Sequence, residues 1–158
     1  MAKSHRAKKE EMFRGNHPAR VDEKGRLKMP AEFKRRIDEQ PDRQFMITSK
    51  DGERADIFPM AVWEEIEKKL AAIPEFDRAK MKLMDRYNYY GQEAEMDAQG
   101  RLLLPQILRK AASLEGDDVV VLGNQKYLTV VNRERFVAKM EAEPLTDDDL
   151  QKLAGSGL

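Results

Sequence analysis

Two arginines that each complete an Asp-x-x-Gly-Arg sequence have the residue types and spacing that best suit binding chemistry. The members of the two sets are Asp22, Gly25 and Arg26, and Asp97, Gly100 and Arg101. The aspartate side chain can accept backbone amide hydrogens in a tight turn, and glycine can adopt the positive φ that such a turn requires. The guanidinium then leaves the turn at a fixed place, where it either pairs with the aspartate or donates to a ligand. The residues alone leave both roles open.

The two sets belong to a longer internal repeat. VDEKGRLKMPAEFKRRI begins at Val21 and MDAQGRLLLPQILRKAA begins at Met96, so the two copies align without a gap at a constant offset. Each copy is followed by two further apolar runs and then by a stretch whose apolar residues recur at helical spacing. Each repeat is therefore predicted to fold as strand, turn, strand, short helix, strand, strand and helix, and two such units predict a pseudo-twofold arrangement.

Alternation along the strand after the first turn predicts which side chains face the core. Leu27 and Met29 are expected to point inward, and Arg26 and Lys28 outward. Pro30 is expected to take the first position of the helix that follows, where the missing amide hydrogen costs nothing.

The second repeat departs from this alternation. Leu103 stands at the position of Lys28, between Leu102 and Leu104. Three consecutive leucines favour a strand that is covered on both faces. We therefore expect the two repeats to have different roles, with the first repeat supplying most of the basic side chains.

The charge distribution supports this division. The whole chain has a formal net charge of zero, yet residues 1–36 hold twelve Lys and Arg against five Asp and Glu, a balance of +7. Electrostatic fields in salt are local, so a basic segment matters more than the sum. The alternative is a basic terminus that is only solvated, and for Lys34, Arg35 and Arg36 a solvated helix face is the expected state.

The sequence offers little that would support catalysis. There is no cysteine, and the two histidines, His5 and His17, have no acidic neighbours at a metal-binding spacing. Phosphate-cradling glycine loops and nucleophile elbows are absent, and Glu93 and Glu95 are expected to be solvated. We expect a protein that is not an enzyme, with no cofactor, no metal and no small-molecule substrate. No apolar run resembles a membrane span or a secretory signal, so a cytoplasmic location without membrane contact is expected.

Two segments lie outside the repeats. Residues 74–88 are predicted to form a connecting helix that leads into a strand near Tyr89. Five aromatic and methionine side chains in this region are expected to pack in the core or between subunits, with a partner surface as the alternative: Met81, Met84, Tyr87, Tyr89 and Tyr90. After Met140 the chain becomes acidic, and Thr146 is predicted to cap a short helix in a loosely held or disordered tail.

The motifs together resemble the MraZ family of bacterial regulators. MFRGNHPARVDEKGRLKMPAEFK is similar to the opening of that family and YYGQEAEMDAQGRLLLPQILRKAA to its second half, so the resemblance runs from Met12 to about Met140. It implies an α+β, mainly β fold, a pseudo-twofold AbrB-like swapped-hairpin (double-psi-like) barrel with peripheral helices. It also implies a homo-oligomeric ring that binds tandem short repeats in the promoter of the division and cell-wall gene cluster, and hence a nucleoid-associated protein.

Residue by residue, the resemblance places the DxxxR motifs on the DNA-facing surface. With the basic side chains around the first turn, the predicted DNA-binding residues are Arg14, Lys24, Arg26, Lys28 and Arg101. The predicted turn-supporting residues are Asp22, Gly25, Asp97 and Gly100. The alternative function is a non-catalytic protein-binding module of the same fold, antitoxin-like or scaffold-like.

The predicted organisation has five parts. They are a basic and disordered extension (1–11), a first repeat (12–73), a connecting helix (74–88), a second repeat (89–140) and an acidic tail (141–158). The partner expected from this organisation is double-stranded promoter DNA.

Overall fold

The computed structural model describes residues 12–158, apart from the side chain of Asp117. The predicted basic extension therefore lies outside the described residues. The first repeat contributes β1 (Asn16–Val21), β2 (Arg26–Lys28), α1 (Ala31–Asp38), β3 (Gln44–Thr48), β4 (Arg54–Pro59) and α2 (Met60–Ala71). After the connecting helix α3 (Arg78–Tyr90), the second repeat contributes β5 (Gln92–Glu95), β6 (Arg101–Leu103), α4 (Gln106–Ala112), β7 (Gly116–Asn124), β8 (Tyr127–Asn132) and α5 (Arg133–Ala142). The tail forms α6 (Asp147–Leu153) and a 3₁₀ turn (Ala154–Ser156).

The eight strands form one antiparallel sheet in the order β5-β3-β4-β8-β7-β1-β2-β6. The first strand of each repeat pairs with the other repeat, because β1 lies beside β7 and β5 lies beside β3. The outermost strands, β5 and β6, approach each other, so the sheet closes nearly into a barrel. This mainly antiparallel α+β barrel of two tandem, strand-exchanged repeats confirms the predicted fold class.

A pseudo-twofold axis passes between Leu27 and Leu102. These two residues are paired in the ladder between β2 and β6, flanked by the pairs Arg26 with Leu103 and Lys28 with Arg101. Arg26 corresponds to Arg101 in the repeat, and Lys28 corresponds to Leu103, so rotation exchanges the two flanking pairs. The predicted symmetry is thus present at the level of individual residue pairs.

The core lies beneath these two strands. Leu27 and Leu102 are fully buried and Met29 is nearly so, as alternation along β2 predicts. Leu104 is also fully buried, yet Leu103 is 53% exposed, so the prediction of a strand covered on both faces was wrong. Successive side chains of a strand point to opposite sides, and only one side of β6 faces the core, so Leu103 points away from it.

The connecting helix differs in detail from the sequence prediction. It runs from Arg78 to Tyr90 with Asp77 as its N-cap, so Tyr89 lies in the helix and the next strand begins only at Gln92. Tyr87, which lies within both the predicted and the observed helix, is buried edge-to-face against Trp63 with ring centroids 5.1 Å apart. With Phe58, Trp63 and Leu70, this ring forms an apolar cluster separate from the main core.

The methionine and aromatic side chains of this helix have different environments. Tyr87 is buried, Met84 and Tyr90 are half-buried, and Met81 and Tyr89 are half or more exposed. Core packing therefore accounts for part of the set that the sequence singled out.

Two helix starts also refine the predictions. Pro30 is the N-cap of α1 and not its first helical residue, although the fixed φ of proline still suits that place. Thr146 caps α6 as predicted, with a reciprocal bond from its own amide to the Asp149 carboxylate. The tail is therefore helical rather than disordered, and its side chains are largely exposed.

Candidate nucleic-acid interface

The Asp22 carboxylate organises the first turn. Its Oδ1 accepts from the backbone amides of Lys24, at 3.0 Å, and Arg26, at 2.9 Å. Its Oδ2 accepts from Nε of the Arg26 side chain at 2.9 Å. Gly25 takes the predicted positive φ, +85°, and donates its amide hydrogen to the Asp22 carbonyl oxygen. One carboxylate thus fixes both the backbone of the turn and the start of the arginine side chain.

The second turn has the same geometry. Oδ1 of Asp97 accepts from the amides of Gln99 and Arg101, both at 2.9 Å, and Oδ2 accepts from Nε of Arg101 at 3.0 Å. Gly100 has a φ of +77°. The sequence repeat is therefore a repeat of one hydrogen-bonded device.

Both aspartates are held in the ionised form. The backbone amide of Arg26 is the main cause that lowers the pKa of the Asp22 carboxyl, and the Arg26 side chain and the Lys24 amide lower it further. The amide of Arg101 has the same leading effect on the pKa of Asp97. Hydrogen bonds to the charged form stabilise it, so both turns keep their ion pair at neutral pH.

The ion pair with Asp22 uses only part of the hydrogen-bond donors of the Arg26 guanidinium. The ion pair uses Nε, and the side chain is 31% exposed. Among residues 12–158 no hydrogen bond is formed by its terminal nitrogens. Because a guanidinium carries five N–H donors, the same side chain can be anchored at Nε and still offer a planar pair of donors to a ligand. Arg101 is held in the same way, with 28% of its side chain exposed. The two roles that the sequence left open are therefore compatible.

The outward side chains of β2 and β6 form one face, which we call the outer face. It consists of Arg26, Lys28, Arg101 and Leu103, which share a side of the sheet because they are cross-strand partners or two residues apart. Nζ of Lys28 donates to the carbonyl oxygen of Gln99 at 2.5 Å, so this lysine bridges to the second turn. Three of the four side chains are cationic, and the fourth is the apolar side chain of Leu103.

Basic side chains continue beside the outer face. A groove of about 640 Å³ runs along β1, β2 and the start of α1 and is lined in part by Arg20, Lys28 and Lys34. Lys24 and Arg14 are exposed, the latter just before β1. The structure therefore brings Lys24, Arg26, Lys28 and Arg101 together around the two turns, whereas Arg14 lies at the far end of β1.

Sequence reasoning missed how each turn is covered. The guanidinium of Arg109 in α4 lies against Gly25, and the aliphatic stem of Lys34 in α1 lies against Gly100. Arg109 also donates to the carbonyl oxygen of Leu104 at 2.6 Å. Lys34 and Arg109 occupy corresponding positions of the two repeats, so the repeat offset was the available signal. Of the three residues expected on a solvated face of α1, Arg35 is exposed, whereas Lys34 and Arg36 are only partly exposed.

Arg43 is a second residue that the sequence did not single out. It donates to the backbone carbonyl oxygens of Met96 and Asp97, at 3.4 and 3.2 Å, and pairs with Asp38 at 2.7 Å. Asp38 also pairs with Lys34. The first repeat thus supports the second turn through a small charged cluster.

Within the described residues, the histidine and the carboxylates that the sequence offered for metal binding or catalysis do not form a site. His17 packs edge-to-face on Phe33, with ring centroids 4.9 Å apart, and Glu93 and Glu95 are exposed on β5. Over the described part of the chain, no group of three or more His, Cys, Asp or Glu side chains is arranged to hold a metal ion. No helix within residues 12–158 has the length and apolar character needed to cross a membrane.

A buried carboxyl group lies between the repeats, away from the outer face. Asp56 in β4 is paired in register with Thr129 in β8, whose hydroxyl donates to Oδ1 of Asp56 at 2.9 Å. Burial raises the pKa of this carboxyl to about 6, and the Thr129 hydrogen bond offsets part of the effect. The folded protein therefore favours the protonated form of Asp56 more than an exposed aspartate would.

Comparison with known sequences agrees with these features. Residues 12–86 and 91–153 match the family described as "MraZ protein, putative antitoxin-like". A relative named transcriptional regulator MraZ, from Acidobacterium capsulatum, is 63% identical over 93% of this chain and all of its own length. Relatives of the same name from Koribacter versatilis and Heliobacterium modesticaldum are 47% and 35% identical, over 93% and 90% of this chain and 100% and 96% of their own lengths.

Proposed function

This chain belongs to the MraZ family, and from that membership together with the outer face we propose that it is a transcriptional regulator that binds double-stranded promoter DNA. Its target is tandem short repeats upstream of the division and cell-wall gene cluster, and it acts on the nucleoid in the cytoplasm, without catalysis. The observation that carries the proposal is the pair of arginines anchored at Nε by Asp22 and Asp97, whose side chains are 31% and 28% exposed.

The anchored geometry suits base recognition. A guanidinium that presents two parallel N–H donors matches N7 and O6 of guanine in the major groove. Anchoring by Asp22 removes most of the rotamer freedom that Arg26 would otherwise lose on binding, so less of the interaction energy is spent on ordering. Lys24 and Lys28, both exposed beside this arginine, supply phosphate contacts that set the position of the barrel on the duplex.

One barrel presents few cations, so we propose that binding is multivalent. A homo-oligomeric ring would present several copies of the outer face to tandem repeats on one DNA molecule. Linked contacts raise affinity through effective concentration without any new contact per site. The neutral total charge of the chain makes this arrangement useful, because residues 37–158 carry a balance of −7, and their repulsion limits the affinity of a single unit for DNA.

A DNA-binding experiment with a salt series tests the proposal. Nuclease footprinting on the region upstream of the protein's own gene should show protection in regularly spaced blocks. Affinity for a duplex from the protected region should fall steeply as salt rises, because each neutralised phosphate releases counterions. Absence of protection, together with weak binding that is equal for all duplexes, would overturn the proposal.

The second candidate is the protein-binding module, which the antitoxin-like description of the family favours. The exposed apolar side chains at the α2–α3 connection, such as Phe76 at 84% exposure, would then form the contact. Apolar association responds weakly to salt and has a negative heat-capacity change, so calorimetry in low and high salt separates the two functions.

A further inference from the structure

The outer face breaks the symmetry that the rest of the barrel keeps. Rotation about the pseudo-twofold axis exchanges Arg26 with Arg101, two identical side chains, but it exchanges Lys28 with Leu103. Leu103 is 53% exposed, whereas the adjacent Leu102 is fully buried. One of the four side chains of this otherwise cationic face is therefore apolar, so the two halves of the outer face differ in chemistry.

The neighbours of Leu103 limit what can cover it. It stands directly opposite Arg26 in the ladder, and Arg101 lies two residues before it on the same side. A protein surface that buried this leucine would also remove those two guanidinium groups from water, which is costly unless both find new partners. Charge complementarity instead favours a polyanion that carries an apolar group within a few ångströms of hydrogen-bond acceptors.

The major groove of DNA offers this combination. Thymine presents an exposed 5-methyl group there, beside the acceptors of neighbouring bases, and the groove admits a two-stranded antiparallel ribbon. Side chains directly opposite in such a ribbon lie about 5 Å apart at Cβ, and stacked base pairs rise about 3.4 Å, so opposite side chains reach neighbouring base pairs.

We propose that Leu103 reads a thymine methyl group next to the base that Arg26 contacts, and that this contact sets the orientation of the barrel on its site. The inference rests on the proposed DNA-binding function and adds a specificity determinant to it. Because Leu103 and Lys28 occupy symmetry-related positions of the outer face, they would distinguish the two halves of an asymmetric DNA repeat.

Removal of single methyl groups from the DNA tests the contact directly. A duplex from the footprinted region upstream of the gene is compared with the same duplex in which thymines are replaced one at a time by deoxyuridine. Wild-type protein should lose about fourfold in affinity at one position of each repeat, the amount expected for one buried methyl group.

Three variants connect that loss to Leu103. Leu103→Ala should abolish the thymine preference at that position. Leu103→Lys should abolish the preference too, while it raises affinity for random duplex and steepens the salt dependence by about one phosphate contact. The control is Leu150→Ala in the tail helix, where a leucine with similar exposure, 49%, lies away from the outer face; the preference should be unchanged.

Each result of these measurements either supports the thymine contact or overturns it. If no position in the wild-type footprint prefers thymine, or if Leu103→Ala keeps the preference, the inference is overturned while the DNA-binding function stands. If Leu103→Ala changes the molar mass of the assembly in light scattering and keeps the preference, the leucine is a subunit contact and the inference is wrong. If no footprint forms at all, the proposed function itself fails, and the inference with it.

Discussion

The guanidinium of Arg109 lies over Gly25, so a helix of the second repeat closes the turn of the first. Lys34 does the same for Gly100 in the opposite direction. Each turn is therefore held from within by its own aspartate and from outside by the other repeat. Exchange of strands between the repeats makes this possible, because it brings β2 and β6 side by side at the axis.

This contact predicts that Gly25→Ala destabilises the fold by about 2 kcal/mol, because an alanine is strained at φ +85° and its Cβ would displace the Arg109 guanidinium from its hydrogen bond to the Leu104 carbonyl oxygen. Gly15→Ala is the matched control, since Gly15 has a φ of +79° with open space around it. It should cost only the conformational part, about 1 kcal/mol. Urea unfolding measures both. Equal losses for the two variants would mean that Arg109 moves aside freely.

Arg26→Ala should weaken binding to the promoter duplex by about 10- to 100-fold, because one bidentate contact to guanine is lost. The fold should be unchanged by circular dichroism. Arg86→Ala, an exposed arginine on α3 that donates to the Lys82 carbonyl oxygen, is the control and should bind normally. Fluorescence anisotropy at fixed salt compares the variants. Wild-type affinity in a folded Arg26→Ala protein would remove this residue from the interface.

Substitutions of Asp22 should act indirectly and in graded fashion. Asp22→Asn keeps an oxygen that can accept the amides of Lys24 and Arg26, but it loses the charge that holds the guanidinium. Asp22→Ala loses both. Affinity for the promoter duplex should therefore fall from wild type to Asn to Ala, with both losses smaller than for Arg26→Ala. A greater loss in the Asn variant than in the Ala variant would contradict the anchoring role.

Asp56 predicts a pH-dependent stability. Its pKa in the folded protein, about 6, lies above the ordinary value of 3.8, so the fold favours the protonated form. Stability from this group is greatest below about pH 4 and falls as the pH rises to about 6, by a total of about 3 kcal/mol. Urea unfolding of wild type and Asp56→Asn at pH 4.5 and 7.5 measures the difference. An unfolding free-energy gap between the two proteins that does not change with pH would show that Asp56 does not titrate in this range.

The turns could be predicted from the sequence because their chemistry is local. Asp22, Gly25 and Arg26 lie close together in the chain, and the second copy at Asp97 to Arg101 repeated the same pattern. The tight turns and their positive φ follow from that spacing, whereas it left open whether each arginine pairs with its aspartate or donates to a ligand. The barrel was implied by family resemblance, and the internal repeat supplied its symmetry.

The remainder depended on contacts between distant residues. Leu103 was misjudged because three leucines in a row do not show which one faces the core until the partner strand is known. The repeat offset relates Lys34 to Arg109, but it does not show that Arg109 covers Gly25, because that contact arises only after the repeats exchange strands. The predicted end of α3 was two residues too early, and the sequence did not show that Tyr87 packs against Trp63 of a different helix, α2.

In the proposed function, the outer face binds DNA through both anchored arginines. Its most direct test is the salt dependence of affinity for the footprinted duplex, measured for wild type and for the double variant Arg26→Ala with Arg101→Ala. The affinity of wild type should fall steeply as salt rises, and the folded double variant should show a shallower slope and an affinity no better than for random duplex. A folded double variant with the wild-type slope and wild-type preference for the promoter sequence would contradict the proposed function.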